Sequence, residues 1–289
     1  MRGPRLVRPS ALLALDCDRG PSRGLSLEAC GITILAIRTY SGRGTALRRH
    51  LGHRLPQLLK HEDYTRFIVL SRSRTGSNLL TSLLNSHRNI DAEGEALRRL
   101  HGRSAPAVID ARFGAQPFFI HAKGFKVFYY HPLDGSSDQV WRDLTGRPDL
   151  AVIHLRRRNI LRTIISRQIA DRSDEWLRRS PERLPVPASK AITISPAELT
   201  RAFEQTRTWE QEGELRFVDH RTLSIWYEDL VSDLDQTFAT ITAFLGVRNV
   251  RPRTRLRRQN PEPLHALLVD HEELHRHFQR TEWEPFFND

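Results

Sequence analysis

Arg72, Arg74, Thr75, Ser77 and Asn78 crowd around the single Gly76 in the run Ser71 to Asn78 (SRSRTGSN). Phe67 to Leu70, just before it, are apolar and β-favouring, while Leu79, Leu80, Leu83 and Leu84, just after it, recur at helical spacing. The change of period predicts a strand, a tight turn and a helix N-terminus. Unpaired amides and the positive end of the helix dipole, with two arginines beside them, suit an anion such as phosphate. The loop has one glycine and no lysine, so it does not fit G-x-x-x-x-G-K-[ST], and G-x-G-x-x-G is absent as well. A solvated strand-to-helix turn explains the same residues equally well at this point.

A second charged constellation follows the apolar run Leu150 to Leu155. Arg156, Arg157 and Arg158 come in succession, and Ser166 stands eight residues after Arg158. Eight residues is a little over two helical turns, so both side chains can face one side. An arginine fork and a hydroxyl converging there would grip a second phosphate. Three cations at a helix N-terminus oppose its dipole and call for an anion. A third group, Glu93 and Glu95, falls on the loop or helix start expected beyond a short strand at Ile90. Carboxylates at the C-terminal edge of a parallel sheet are placed for chemistry, although a helix start also favours acidic residues.

These residues need a scaffold, and the chain supplies one. Lys123 to His131 reads as a strand, Ser136 to Leu144 as a helix, and Leu150 to Leu155 as a strand buried on both faces. Ser195 to Glu198 has the signature of a capped helix start with proline at its first position. Thr222 to Leu230 reads as a strand entering an acidic turn, Asp233 to Leu245 as an amphipathic helix, and Pro263 to Phe278 as a closing helix. Alternating strands and helices predict an α/β fold with a central parallel sheet flanked by helices.

The 289 residues are enough for one large core. A net charge of +11 would suit nucleic acid, a membrane surface or a small polyanion. The basic residues, however, are 41 arginines and only 4 lysines, scattered rather than clustered, which points to coding composition and not to DNA binding. Cys17 and Cys30 are the only cysteines, too few for a disulfide framework or a structural zinc site. Residues 1–60 read as a weakly ordered extension or a start-site artefact, with residues 61–289 as the functional domain. No apolar run approaches the roughly 20 residues of a membrane helix, so a soluble, cytoplasmic protein is expected.

In combination, the motifs resemble the sulfotransferase superfamily that uses 3′-phosphoadenosine 5′-phosphosulfate (PAPS), over about Arg66 to Glu284. Ser71 to Leu80 resembles its 5′-phosphosulfate loop and Arg158 to Ser166 its 3′-phosphate motif. Trp226 to Leu230, with a helix ending at Phe244-Leu-Gly246, resembles its late strand and helix. Arg257 to Asn260 sits where such enzymes close a basic segment over the nucleotide. Gly94-Glu-Ala96 and the Lys126 strand are most similar to bacterial carbohydrate sulfotransferases of the trehalose and nodulation-factor type. Ser73 stands where family loops often carry proline, Asn78 where they carry a hydroxyl, and Ile160 where proline is common.

The resemblance implies a three-layer, P-loop-like fold and PAPS as co-substrate, with no metal required. It implies a small-molecule or glycan acceptor, with no nucleic-acid partner. Glu95 would be the base, with Glu93 as runner-up, and Arg74 would stabilise charge on the leaving nucleotide. Arg72, Ser73, Arg74, Thr75, Gly76, Ser77 and Asn78 would bind the 5′ end of the cofactor. Arg158 and Ser166 would bind the 3′-phosphate, and Arg257 and Arg258 would close over the nucleotide. The competing readings are a P-loop-like kinase or NTPase, a basic nucleic-acid-binding protein, and a non-catalytic sulfotransferase-like protein.

Overall fold

A computed structural model of the chain describes residues 60–173, 190–256 and 260–288. All of them fall in Gly44–Asp289. The expected N-terminal extension up to residue 59, with Cys17 and Cys30, lies outside the described residues, as do residues 174–189 and Arg257 and Arg258.

The first strand of the main sheet, β2 (Thr65–Ser71), follows the two-residue β1 (Lys60–His61). It leads through α1 (Ser77–Leu84) to β3 (Ile90–Glu95), then α2 (Ala105–Arg112) and the short β4 (Gln116–Pro117). Next come β5 (Ala122–Phe128), α3 (Ser137–Thr145), β6 (Ala151–Arg156) and α4 (Ile160–Ser173). After α5 (Pro196–Arg216) the chain forms β7 (Thr222–Trp226), α6 (Tyr227–Ser232) and α7 (Leu234–Phe244). The tail holds α8 (Leu264–Leu267), α9 (His271–Phe278) and a 3₁₀ turn at Glu284–Phe287. β1 and β4 form a separate antiparallel pair.

The main sheet has five strands in the order β3-β5-β2-β6-β7, and every pairing in it is parallel. Alternation along β2 explains the three layers. Ile68 and Leu70 face one side, where Val108 and Ile109 of α2 and Val140, Trp141 and Leu144 of α3 cover them. Phe67 and Val69 face the other, against Leu80, Leu83 and Leu84 of α1 and Phe238 and Ile241 of α7. Fully burying each such side chain contributes roughly 1.5–3 kcal/mol before entropy is counted. A further cluster joins Leu161 and Ile165 of α4 to Leu199 and Phe203 of α5 and Trp283 of the tail.

The capping box foreseen at Ser195 is present: Ser195 Oγ accepts from the Glu198 amide at 3.3 Å, and the Ser195 amide donates to Glu198 Oε2 at 2.9 Å. Three element expectations need correction. The strand expected through Leu230 stops at Trp226, because Glu228 and Asp229 serve as the acidic first turn of α6. The expected closing helix is broken in two, since Leu268 is extended between α8 and α9. Finally, Glu93 and Glu95 lie within β3 and not in a loop beyond it.

Strand order decides where a site can form. β2 leads toward β3 on one side of the sheet, and β6 leads toward β7 on the other. The crevice beyond their carboxyl ends is therefore the topological switch point, where open parallel sheets bind ligands. Both charged loops leave the sheet there. Among the described residues no helix is long and apolar enough to cross a membrane.

Candidate active site

A cleft of about 1270 Å³ opens at this switch point. Its first wall is the turn between β2 and α1. Arg74 takes a left-handed backbone at φ 71°, and Gly76 another at φ 91°. Gly76 caps α1 with no side-chain hydrogen bond, so the helix's first amides are left for a ligand. A β-carbon on Gly76 would lie 2.3 Å from Cδ2 of Tyr227. Gly76→Ala should accordingly cost about 1–3 kcal/mol, through strain and overpacking together. Urea unfolding checks this, and an unchanged midpoint would contradict it.

Within the loop the side chains divide. Ser73, Arg74, Gly76, Ser77 and Asn78 line the cleft. Thr75 is buried, and its Oγ1 donates to the carbonyl of Arg72 at 2.8 Å, holding the turn closed. Arg72 departs from expectation. Its guanidinium turns away from the cleft, donates to Thr206 Oγ1 of α5, and sits 5.9 Å from the Trp209 ring. Burial lowers its pKa. Its place is to tie the loop to α5.

The second wall is the start of α4. Arg158 and Ser166 both line the cleft, as do Arg157, Asn159 and Arg162. The anion demanded by three successive arginines is supplied by the protein's own carboxylates. Arg156 pairs with Glu214, Arg157 lies 3.9 Å from Glu228, and Arg158 forks onto both oxygens of Asp229 at 2.7 and 2.9 Å. The Glu228 carboxylate also accepts from the Arg158 amide at 3.0 Å, just before α4, whose first turn Asn159 caps by accepting from the Arg162 amide at 3.0 Å. The pairing raises the pKa of Arg158 and lowers that of Asp229.

The two walls meet directly. Arg74 Nε donates to Ser166 Oγ at 2.9 Å, and Arg157 donates to the carbonyl of Arg74 at 3.3 Å. The loop after β2 and the helix after β6 thus form one polar surface.

The third wall carries Glu95, with Lys126 and His131 from the β5 side. Residues 93 and 95 of a regular strand would face one way, but β3 shifts register between them. Glu93 consequently faces Lys123 at 2.6 Å and Arg112 at 3.0 Å, away from the cleft. Glu95 lies opposite Lys126, with 3.7 Å between carboxylate and ammonium. Lys126 Nζ also donates to Asn78 Oδ1 at 2.6 Å, linking this wall to the loop. His131 Nδ1 accepts from the Phe128 amide at 3.2 Å, so a neutral ring carries its proton on Nε2, which lies 3.8 Å from Glu95.

Burial, with Arg98 and Lys126 adding to it, holds the His131 pKa down at about 4. A histidine with an ordinary unfolded pKa near 6.5 therefore binds a proton more readily when unfolded. Stability from this group is complete above about pH 6.5 and is lost as pH falls toward 4. Urea midpoints should drop over that interval and drop less in His131→Gln; equal slopes would contradict this account.

No protein-family model matches the chain. Two relatives named Nodulation protein H, from Rhizobium tropici and Rhizobium meliloti (strain 1021), are each 27% identical to it. The matches cover 76% of this chain and 92% and 94% of the relatives. The two loop motifs meet on one cleft, in the order that the resemblance requires. The chain resembles the sulfotransferase superfamily. It is similar to a solved sulfotransferase from Alicyclobacillus acidocaldarius at 16% identity and TM-score 0.44, covering 76% of this chain and 91% of that one. It is also similar to mouse sulfotransferase SULT7A1, solved with PAP, at 16% identity and TM-score 0.37, covering 66% and 61%.

Several cleft residues escaped the sequence reading. Lys126 had a signal, since two of the four lysines stand on one strand, three residues apart and hence on opposite faces. Arg157 was masked by its two arginine neighbours. Tyr227, over which the Arg157 guanidinium lies at 4.7 Å, was read as part of a strand. Phe286 comes from the tail and had no local signal, and Asn260 was named only as the end of the basic segment from Arg257.

Proposed function

We propose that the cleft binds PAPS across the starts of α1 and α4 and transfers its sulfuryl group to an acceptor hydroxyl beside Glu95. The observation that carries this reading is the Arg74–Ser166 hydrogen bond of 2.9 Å, which joins two anion grips into one surface. A nucleotide with phosphates at both the 5′ and 3′ positions fits two such grips, whereas an ATP-like chain of phosphates needs only one. Ser77, Asn78 and the first amides of α1 hold the 5′-phosphosulfate, with Ser73 at the loop's edge. Ser166 and Arg158 take the 3′-phosphate, with Arg158 exchanging Asp229 for it. Arg257 and Arg258 close over the nucleotide.

Glu95 removes the acceptor's proton as the acceptor oxygen attacks sulfur. The bond from sulfur to the bridging oxygen breaks in line, and 3′-phosphoadenosine 5′-phosphate (PAP) leaves with the negative charge. Arg74 and the α1 amides stabilise that charge. As in phosphoryl transfer, positioning and electrostatics do most of the catalysis. The acceptor side of the cleft combines the rings of Phe128, Tyr130 and His131 with Arg98, Arg167 and Asp171. Flat apolar faces edged by polar groups suit a polyhydroxylated ring, so the acceptor is a carbohydrate or glycolipid.

Calorimetry with PAP tests the cofactor. Wild type should bind it, and Arg158→Ala should bind it about 10-fold or more weakly, as expected for a lost charge-assisted hydrogen bond of about 1.5–3 kcal/mol. Equal binding by both proteins, or none by wild type, would overturn the assignment.

A further inference from the structure

Ser166 is held from two sides. Arg74 Nε donates to its Oγ at 2.9 Å, and Asn260 Nδ2 donates to the same atom at 3.1 Å. A serine hydroxyl offers one proton and two lone pairs. With both lone pairs engaged, the proton is its one remaining capacity, and no hydrogen bond given by that proton is seen among the described residues. Ser166 is 9% exposed and lines the cleft, so the proton is available to a ligand there.

Asn260 reaches Ser166 from 94 residues further along the chain, and its segment is anchored. The next residue but one, Glu262, pairs with Lys190 at 2.7 Å. The Glu262 carbonyl accepts from Arg162, one turn before Ser166 on α4, at 3.1 Å. The tail is therefore fastened to the same helix at two neighbouring points.

We propose that Asn260 is a positioning residue that fixes the Ser166 hydroxyl as a donor toward the cofactor's 3′-phosphate. This rests on the PAPS reading above and adds to it a residue outside the two loop motifs. The direction of the amide matters. An acceptor oxygen in place of Nδ2 would take the serine's proton and cancel the donor. Asn260→Asp imposes that state permanently and adds a negative charge.

The test compares PAP with adenosine 5′-phosphate, which lacks the 3′-phosphate, by calorimetry. Asn260→Ala should weaken PAP binding about 3- to 10-fold, the value of one ordinary hydrogen bond, and leave adenosine 5′-phosphate binding unchanged. Asn260→Asp should weaken PAP binding further, again selectively. Adding Asn260→Ala to Ser166→Ala should cost nothing more, because the residue acts through that hydroxyl. Equal losses for both nucleotides, or additive losses in the double variant, would overturn the proposal. A thermal melt of each variant checks folding, and Asn260→Asp supplies the test if the alanine variant does not fold. A wild-type protein with no preference for PAP over adenosine 5′-phosphate would overturn the PAPS reading itself, and the proposal with it.

Discussion

Replacing Arg74 with alanine should lower turnover by about 10²–10³-fold, the usual cost of removing one donor aimed at developing transition-state charge. Arg74 lies on the loop wall, with its Nε on Ser166 and its carbonyl held by Arg157. Its left-handed backbone at φ 71° is shared by the alanine variant, so the substitution removes the guanidinium without relieving the strain. PAP affinity should fall less than turnover, because only part of the contact exists in the ground state. Arg74→Lys should recover a fraction of the rate, since an ammonium keeps the charge but loses the planar fork. Single-turnover rates with saturating PAPS measure the effect, and a loss below tenfold would contradict the role.

The second large effect concerns two carboxylates two residues apart in sequence. Glu95→Gln should lower turnover by about 10²–10⁴-fold, the contribution of a positioned general base. Glu93→Gln should leave turnover near wild type. The register shift in β3 separates them, sending Glu95 into the cleft and Glu93 to Lys123 and Arg112. Glu93→Gln should instead cost about 1–3 kcal/mol of stability. Lys123 is buried and, among the described residues, would keep Asp91 as its one anionic partner. Turnover and urea unfolding on both variants separate the roles. Turnover abolished in Glu93→Gln but retained in Glu95→Gln would exchange them.

Much of this could be read from the sequence because the decisive signals are local. The change from strand to helix period around Gly76 lies within about twenty residues, and so does the run from Leu150 to Ser166. Parallel strands covered on both faces have near-continuous apolar runs, so β2 and β6 declared themselves. Side-chain direction was harder to read. Arg72 and Arg74 look alike in sequence, but the turn's left-handed residues send one to Thr206 and the other to Ser166. The bulge beside Gly94 has the same character, since one extra residue changes which glutamate faces the cleft. The carboxylates that answer the arginines come from α5 and α6, tens of residues away, and such pairs leave no mark on local spacing. Asn260 belongs to the same class, because its partner Ser166 is 94 residues earlier.

The most direct test of the central claim is transfer of label from ³⁵S-PAPS onto a panel of sugars, glycolipids and phenols. The expected result is labelled sulfate ester on a carbohydrate or glycolipid hydroxyl, with stoichiometric PAP, lost in Arg74→Ala and Glu95→Gln. Binding of PAP without transfer to any acceptor in the panel, or transfer that survives both substitutions, would contradict it.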